Sequence, residues 1–265
     1  MENKIVFLGT SGDVVSAGRY SSAGGFVLQT EGFQFHVDPG VGALESGRVL
    51  DVNLRETQVV LCSNNSLVDS GDLNAVIEFL THDGDDKHGI LIAANSVVNG
   101  SDSENPILKE STKKNLERII TVRPSDKIGL SDIAVHATKC NAKDGTAIGF
   151  KFEAPHFTLS YIPTAGFGNL KQYEDTDILL LSVKNPNSIV DSKELTVKDA
   201  IKTIEEIKPR LVIITNLGYM LHKESSIKII RDIQKETKIQ TMVATSGLVV
   251  NAGSYKKVKQ EKLGL

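Results

Sequence analysis

The chain has 265 residues, 40% of them hydrophobic and 24% charged, with a formal net charge of −3. Such a composition suits a globular protein of one large domain or two small ones, able to build a core without disulfides or structural metals. It excludes a general electrostatic pull toward nucleic acid, and the two cysteines, Cys62 and Cys140, exclude a secreted disulfide framework.

The opening MENKIVFLGT has too short an apolar run for a signal peptide. No segment reaches the ~20 apolar residues that span a bilayer, so a soluble cytoplasmic protein is expected. Ile5–Leu8 reads as a buried strand ending in the turn Gly9-Thr10-Ser11-Gly12. This turn lacks G-x-G-x-x-G and the lysine of a phosphate loop, so nucleotide binding is not expected there. Polar Asp13–Gly24 reads as a loop over a cleft. Gly25–Thr30 and Phe33–Asp38 flank Glu31-Gly32, a two-residue hairpin connection, and Pro39-Gly40 breaks the second strand.

Val59–Leu61 reads as a further buried strand. Beyond it, Leu73, Val76, Ile77 and Leu80 recur at helical spacing. The polar stretch between them, 61–73, is of the strand-to-helix kind where α/β proteins place their chemistry. Asp69 there also has a structural explanation, as an N-cap of the following helix. Thr81–Gly89 gathers two His and three Asp without regular ligand spacing and reads as a solvated acidic turn. Ile90–Ala93 is a strand, and 99–114 a surface loop or short helix. Ile133–Thr138, Thr146–Phe152 and Phe157–Ile162 are β runs, and Ile178–Leu181 is an apolar buried strand. Thr196 can cap a helix whose Val197, Ala200, Ile201, Ile204 and Ile207 share a face. Pro209 ends it, strand Leu211–Ile214 runs into Thr215-Asn216-Leu217-Gly218, and a helix (225–235) and two short strands follow. The lysine-rich tail from Lys256 is expected to fray.

The order FLGTSG, GGFVLQT, FQFHVDPGVGAL, with the loop after Val59–Leu61, resembles the metallo-β-lactamase fold family of hydrolases, above all a small archaeal branch. The resemblance covers nearly the whole chain. It implies one domain, 1–265, of α/β class, built as an αββα four-layer sandwich. In that family the loop after the fourth strand reads Thr-His-x-His-x-Asp-His and supplies most ligands of two metal ions. The matching positions here are Asn64, Asn65, Ser66, Leu67, Val68, Asp69 and Ser70, and only Asp69 keeps its ligand type. Tyr161–Ala165 matches Tyr-x-Ser-Asp-Thr, which puts Thr164 at the metal-bridging position. Thr138–Phe150 matches a stretch with another His ligand, whose counterpart is Ala142. Asn216 stands where Thr-His-x-Gly has its histidine.

A metal pair in such a site lowers the pKa of bound water to about 7, which requires imidazole and carboxylate donors. Leu67 cannot donate, and Asn65, Asn216, Ser70 and Thr164 are neutral oxygen donors, poor ligands for zinc. Neither a metal site nor a cofactor is expected. If any metal were held, Asp69, His36, Asp38 and His222 are the secondary candidates. What lines the cleft is Asn64, Asn65, Ser66, Asp69, Ser70, Thr164 and Asn216, groups suited to recognising a ligand without activating water. Serine hydrolysis at Ser66 or Ser70 lacks a G-x-S-x-G or comparable constellation, so no catalytic residue is assigned. Cys62 and Cys140 fall on loops lining the same cleft in the family; buried inert thiols are the simpler reading. The expected function is therefore a non-catalytic binding or regulatory protein on this scaffold. The alternative is an ester or phosphodiester hydrolase with a remodelled single-metal site. The expected partner is a small molecule or a protein, not a membrane or nucleic acid. Analogy with the family adds a homo- or hetero-oligomer.

Overall fold

The computed structural model describes residues 3–102, 104–140, 147–163, 169–186, 194–223 and 226–256. The first half contributes β1 (Lys4–Phe7), β2 (Phe26–Thr30), β3 (Phe33–Val37), β4 (Val59–Cys62), β5 (Ile90–Ala94) and β6 (Arg118–Val122). The second contributes β7 (Lys127–Leu130), β8 (Ile133–Lys139), β9 (Ile148–Ala154), β10 (Phe157–Ile162), β11 (Ile178–Ser182), β12 (Leu211–Thr215) and β13 (Gln240–Val243). The last strand, β14 (Val249–Asn251), returns to pair antiparallel with β1. Two seven-stranded sheets result, in the orders β14-β1-β2-β3-β4-β5-β6 and β13-β12-β11-β10-β9-β8-β7.

Residue alternation explains how each sheet is covered on both faces. In β11, Ile178 and Leu180 point to the core shared between the sheets, while Leu179 and Leu181 point to a second core under the helices. Leu211 and Ile213 of β12 divide from Val212 and Ile214 in the same way. These strands are accordingly unbroken apolar runs, as parallel strands buried on both faces must be. Edge-on aromatic pairs join the sheets: Phe35 meets Phe152 at 5.6 Å and Phe26 meets Tyr161 at 5.3 Å between ring centroids.

The helices are α1 (Val14–Ala17), α2 (Ala43–Val49), α3 (Leu67–Ser70), α4 (Leu73–Leu80), α5 (Asn95–Asn99), α6 (Glu110–Lys113), α7 (Val197–Ile207), α8 (Tyr219–Lys223) and α9 (Ser226–Thr237). Leu73, Val76, Ile77 and Leu80 of α4 are buried against the first sheet, as their spacing predicts. Thr196 caps α7 in a reciprocal box with Asp199, and Ala200, Ile204 and Ile207 pack on the second sheet. Helices outside two facing sheets make the expected αββα sandwich. Among the described residues, no helix is long and apolar enough to cross a membrane.

Two local expectations need correction. Asp13–Gly24 is not simply a loop, because Asp13 caps the short α1 through the Ser16 amide. Asp69 is not an N-cap either. The single turn α3 intervenes, so Asp69 lies inside it, and Asp72 takes the cap position of α4 without a side-chain capping bond. The hairpin turn holds as read: Glu31 and Gly32 have φ of 48° and 80°, the left-handed pair that a two-residue connection needs.

Parallel pairing of β3 with β4, and of β10, β11 and β12, brings the carboxyl ends of these strands to one edge of the sandwich. Gly40 sets the spacing there. A Cβ at this residue would lie 1.9 Å from the Val68 carbonyl oxygen and 2.3 Å from that of Ala23. Gly40→Ala should therefore push α3 off the sheet edge and cost about 1–3 kcal/mol or more, measured by urea unfolding. A wild-type midpoint in that variant would show that the loop yields freely.

Candidate functional site: a buried carboxylate hub at the strand ends

Asp38 follows β3 in the left-handed conformation, φ 51°, and is 1% exposed. This turn breaks strand alternation and aims the carboxylate across the gap between the sheets. Its oxygens accept from the Ser63 amide at 2.7 Å, the Ser63 hydroxyl at 2.6 Å and the Tyr161 hydroxyl at 2.8 Å. Ser63 belongs to the first sheet's edge and Tyr161 to β10, so a single carboxylate ties the two sheets together. Asn216, after β12 and itself at φ 49°, extends the chain by donating Nδ2 to the Tyr161 oxygen at 3.1 Å. Its side-chain oxygen accepts from the Thr215 hydroxyl at 3.3 Å.

Asp69 is 1% exposed, and one of its oxygens accepts from the Ser66 hydroxyl at 2.5 Å. The other, Oδ1, is buried and has no hydrogen-bond partner within bonding distance among the described residues. Asn64 and Ser66 remain at this edge. Asn65 turns away, donating to the Asn105 carbonyl at 2.9 Å, and Ser70 is buried, donating to the Ser66 carbonyl at 2.8 Å. Of the expected cleft residues, then, Asn64, Ser66, Asp69 and Asn216 face the hub region, while Asn65 and Ser70 are engaged in local backbone contacts. Thr164 and Ala142 lie outside the described residues.

The histidines make contacts of their own. His36 is buried in β3, with Nε2 donating to the Gly24 carbonyl at 3.0 Å and Nδ1 unpartnered. His222 in α8 stacks on Tyr20, 4.7 Å between rings, and its buried Nε2 has no partner. His136 pairs with Glu153 at 2.9 Å, and His156 lies 3.9 Å from Glu31. Cys62 and Cys140 are free and buried, Cys62 directing its thiol at the Asn64 and Asp69 carbonyls at 3.8 and 3.6 Å.

The donor set does not suit the family's metal pair. At the ligand positions stand amides, hydroxyls and Leu67, whose side chain is exposed and inert. The best carboxylate, Asp38, already has both oxygens engaged by protein donors. Among the described residues, no group of three or more His, Cys, Asp and Glu is arranged to hold a metal ion.

Three residues of this site escape a reading along the chain. Ser63 and Tyr161 are ordinary strand-end residues until Asp38 reaches them, and Tyr161 lies 123 positions from Asp38. Lys184, after β11, is the third. Its ammonium lies 3.4 Å from Glu194 with the side chain 14% exposed. The sequence signal for Tyr161 is its place as the first residue of the segment that resembles Tyr-x-Ser-Asp-Thr.

Burial governs the electrostatics. Desolvation, then the charge of Asp69, pushes Asp38 up to about 8 against the pull of its three donors. Asp69 is raised as well, first by burial, with the Lys184 ammonium acting in the opposite direction. Tyr161 is pushed well above the usual phenol range by burial and by the charges of Asp38 and Asp69, and so stays a donor. Cys62 is raised by burial and by the same two charges, and Cys140 is pushed up to about 12 chiefly by burial, so neither thiol is a ready nucleophile. A protonated Asp38 still fits its surroundings, since the Ser63 or Tyr161 hydroxyl oxygen can accept the carboxyl proton.

The sign of the resulting pH dependence follows from linkage. Asp38, raised from 3.8 to about 8, binds its proton more tightly when folded, so its contribution to stability falls as pH rises toward 8. His36, held down to about 4 by burial from an ordinary 6.5, has the opposite slope below pH 6.5 and none above it. The window between pH 6.5 and 8 therefore isolates the carboxyl groups. There, unfolding free energy should drop by about 1 kcal/mol per pH unit, and Asp38→Asn should flatten the slope. Denaturant unfolding at several pH values reads this directly, and an equal slope in the variant contradicts it.

The sandwich, the cleft at its strand ends and the residues there can be set beside known proteins. A beta-lactamase superfamily domain model matches residues 19–216, well over half of the chain. The uncharacterised protein MJ1374 of Methanocaldococcus jannaschii is 26% identical over 269 residues, spanning 97% of this chain and 98% of its own. The metallo-beta-lactamase fold protein YhfI of Bacillus subtilis superposes with a TM-score of 0.78 at 12% identity, over 94% of this chain and 99% of that one. A diphosphatase of the PhnP family gives 0.68 at 12% identity over 94% and 97%, and the short form of human tRNase Z gives 0.67 at 10% over 94% and 99%. At these identities the structural likeness establishes the fold. The family match and that fold together place the chain in the beta-lactamase superfamily, as a degenerate member lacking most of the family's metal ligands.

Proposed function

We propose that this protein is a non-catalytic member of its family, a binding or regulatory partner that keeps the scaffold and fills the site with its own side chains. The observation that carries this reading is the Ser63–Asp38–Tyr161–Asn216 chain of hydrogen bonds. It consumes the carboxylate best placed to hold a cation and binds the sheets to each other through neutral groups. With Cys62 and Cys140 held as thiols and Tyr161 as a phenol, the described residues favour recognition over nucleophilic attack. The strand-end region presents Asn64 and Ser66, half-buried, and elsewhere the stacked rings of Tyr20 and His222. Such a lining suits a small polar molecule or a protein segment as ligand.

A second reading has its own support. Among the described residues, Asp69 Oδ1 and His222 Nε2 are both buried with no hydrogen-bond partner, and such atoms call for an explanation. A single-metal ester or phosphodiester hydrolase using them accords with neighbours that are named as a diphosphatase and a tRNase Z.

Elemental analysis of protein purified without chelator separates the two, combined with hydrolysis assays on bis(p-nitrophenyl) phosphate and p-nitrophenyl acetate with added Zn2+, Mn2+ or Fe2+. The proposed reading expects substoichiometric metal and rates at the buffer background. Stoichiometric metal retained through desalting, with turnover that is lost in Asp69→Asn and His222→Ala, establishes the hydrolase instead.

A further inference from the structure

The first sheet ends in the edge strands β14 and β6, the second in β13 and β7. Of these β6 is the longest, five residues against four in β13 and β7 and three in β14. It pairs in parallel with β5 from Arg118 to Val122, and among the described residues no strand lies on its other side. Among the same residues, no element but β5 bonds to the backbone of 118–122. An edge of this kind presents a row of open N–H and C=O groups, which proteins blunt with bulges, prolines or short strands. No proline interrupts β6, since Pro124 falls beyond it. Its middle is apolar: Ile119 and Ile120 are half-buried against the core, and Val122 is buried. The charges stand mostly at its ends. Glu117 and Arg123 flank the strand, both are exposed, and neither forms an ion pair among the described residues.

This stretch is its own complement. Two copies set antiparallel about a two-fold axis at Ile120 bring Ile120 against Ile120, Ile119 against Thr121, Arg118 against Val122 and Glu117 against Arg123. Symmetry repeats the Glu117–Arg123 pairing, so opposite charges meet at both ends of the seam. An axis at Ile119 sets Glu117 against Thr121 and Arg123 against Asn115, and one at Thr121 sets them against Ser125 and Ile119. An axis at Arg118 sets that cation against its own copy. Charge thus selects both the register and the occupant. We infer that β6 is a dimerisation edge, through which a second copy of this chain adds to the first sheet, antiparallel and centred on Ile120. The axis stands perpendicular to the sheet, so β7, joined to β6 by residues 123–126, comes to the same flank in both copies. No cleft residue takes part, and the dimer holds whether or not the cleft is catalytic. Pairing along one short strand buries little surface, which places the dissociation constant on the order of micromolar.

Sedimentation velocity of the full chain, from low to high micromolar concentration, tests this with wild type, E117R, R123E and the swap E117R/R123E. Wild type should pass from monomer to dimer across the range. Each single reversal sets like charges together at both ends of the seam and should weaken the dimer about tenfold. The swap restores both pairs and should return association to the wild-type level. A wild type that stays monomeric, a dimer that the single reversals leave unchanged, or a swap no better than they are, each overturns the proposal. Should a variant fail to fold, amide hydrogen exchange of wild type decides. Exchange in 118–122 should slow as concentration rises while that of β13 and β14 stays constant, and concentration-independent exchange in 118–122 overturns the proposal.

Discussion

A carboxylate between two sheets, receiving three hydrogen bonds from both of them, is the contact around which the rest of this molecule is arranged. Asp38 reaches that place because its backbone turns left-handed directly after β3, where parallel pairing with β4 has brought Ser63 alongside. From the opposite side Tyr161 presents its hydroxyl, with its ring edge-on to Phe26 of the first sheet. A polar group left bare in a low-dielectric interior is costly, and here both oxygens of the carboxyl group are engaged. Geometry and energy thus converge on one small polar island inside an otherwise apolar seam.

That island sets the chemistry of its surroundings. Burial, and after it the charge of Asp69, drives Asp38 toward the neutral form, and burial with the fields of both carboxyl groups keeps Tyr161 and Cys62 protonated. The outer part of the cleft is treated differently. There Lys184, after β11, pairs with Glu194 at 3.4 Å. A buried hub around Asp38 and the Lys184–Glu194 pair are thus the polar features described at the strand ends.

Much of the architecture was legible from pattern alone. Continuous apolar runs such as Ile178–Leu181 and Leu211–Ile214 announced strands buried on both faces, and the helical spacing of Leu73, Val76, Ile77 and Leu80 announced α4. The replacement of ligand types at Asn64–Ser70 and Asn216 was equally plain, since residue identity suffices for it. What could not be read was convergence. The contact of Tyr161 with Asp38, the turn of Asn65 toward Asn105, and the pairing of Lys184 with Glu194 are products of tertiary packing. Asp69 was misread as a cap because local propensity favours that role, whereas the extra turn α3 moved the helix start to Asp72. Local signals locate elements; a buried polar network is specified by residues far apart in the chain, and no period reveals it.

The central claim is that protein hydrogen bonds occupy the position a metal would need. Its most direct test is a crystal soaked in zinc and measured on both sides of the zinc absorption edge. The account predicts no anomalous peak between Asp38 and Asp69, with the Tyr161 hydroxyl still bonded to the Asp38 carboxylate. A full-occupancy peak there, with Tyr161 displaced, would contradict it.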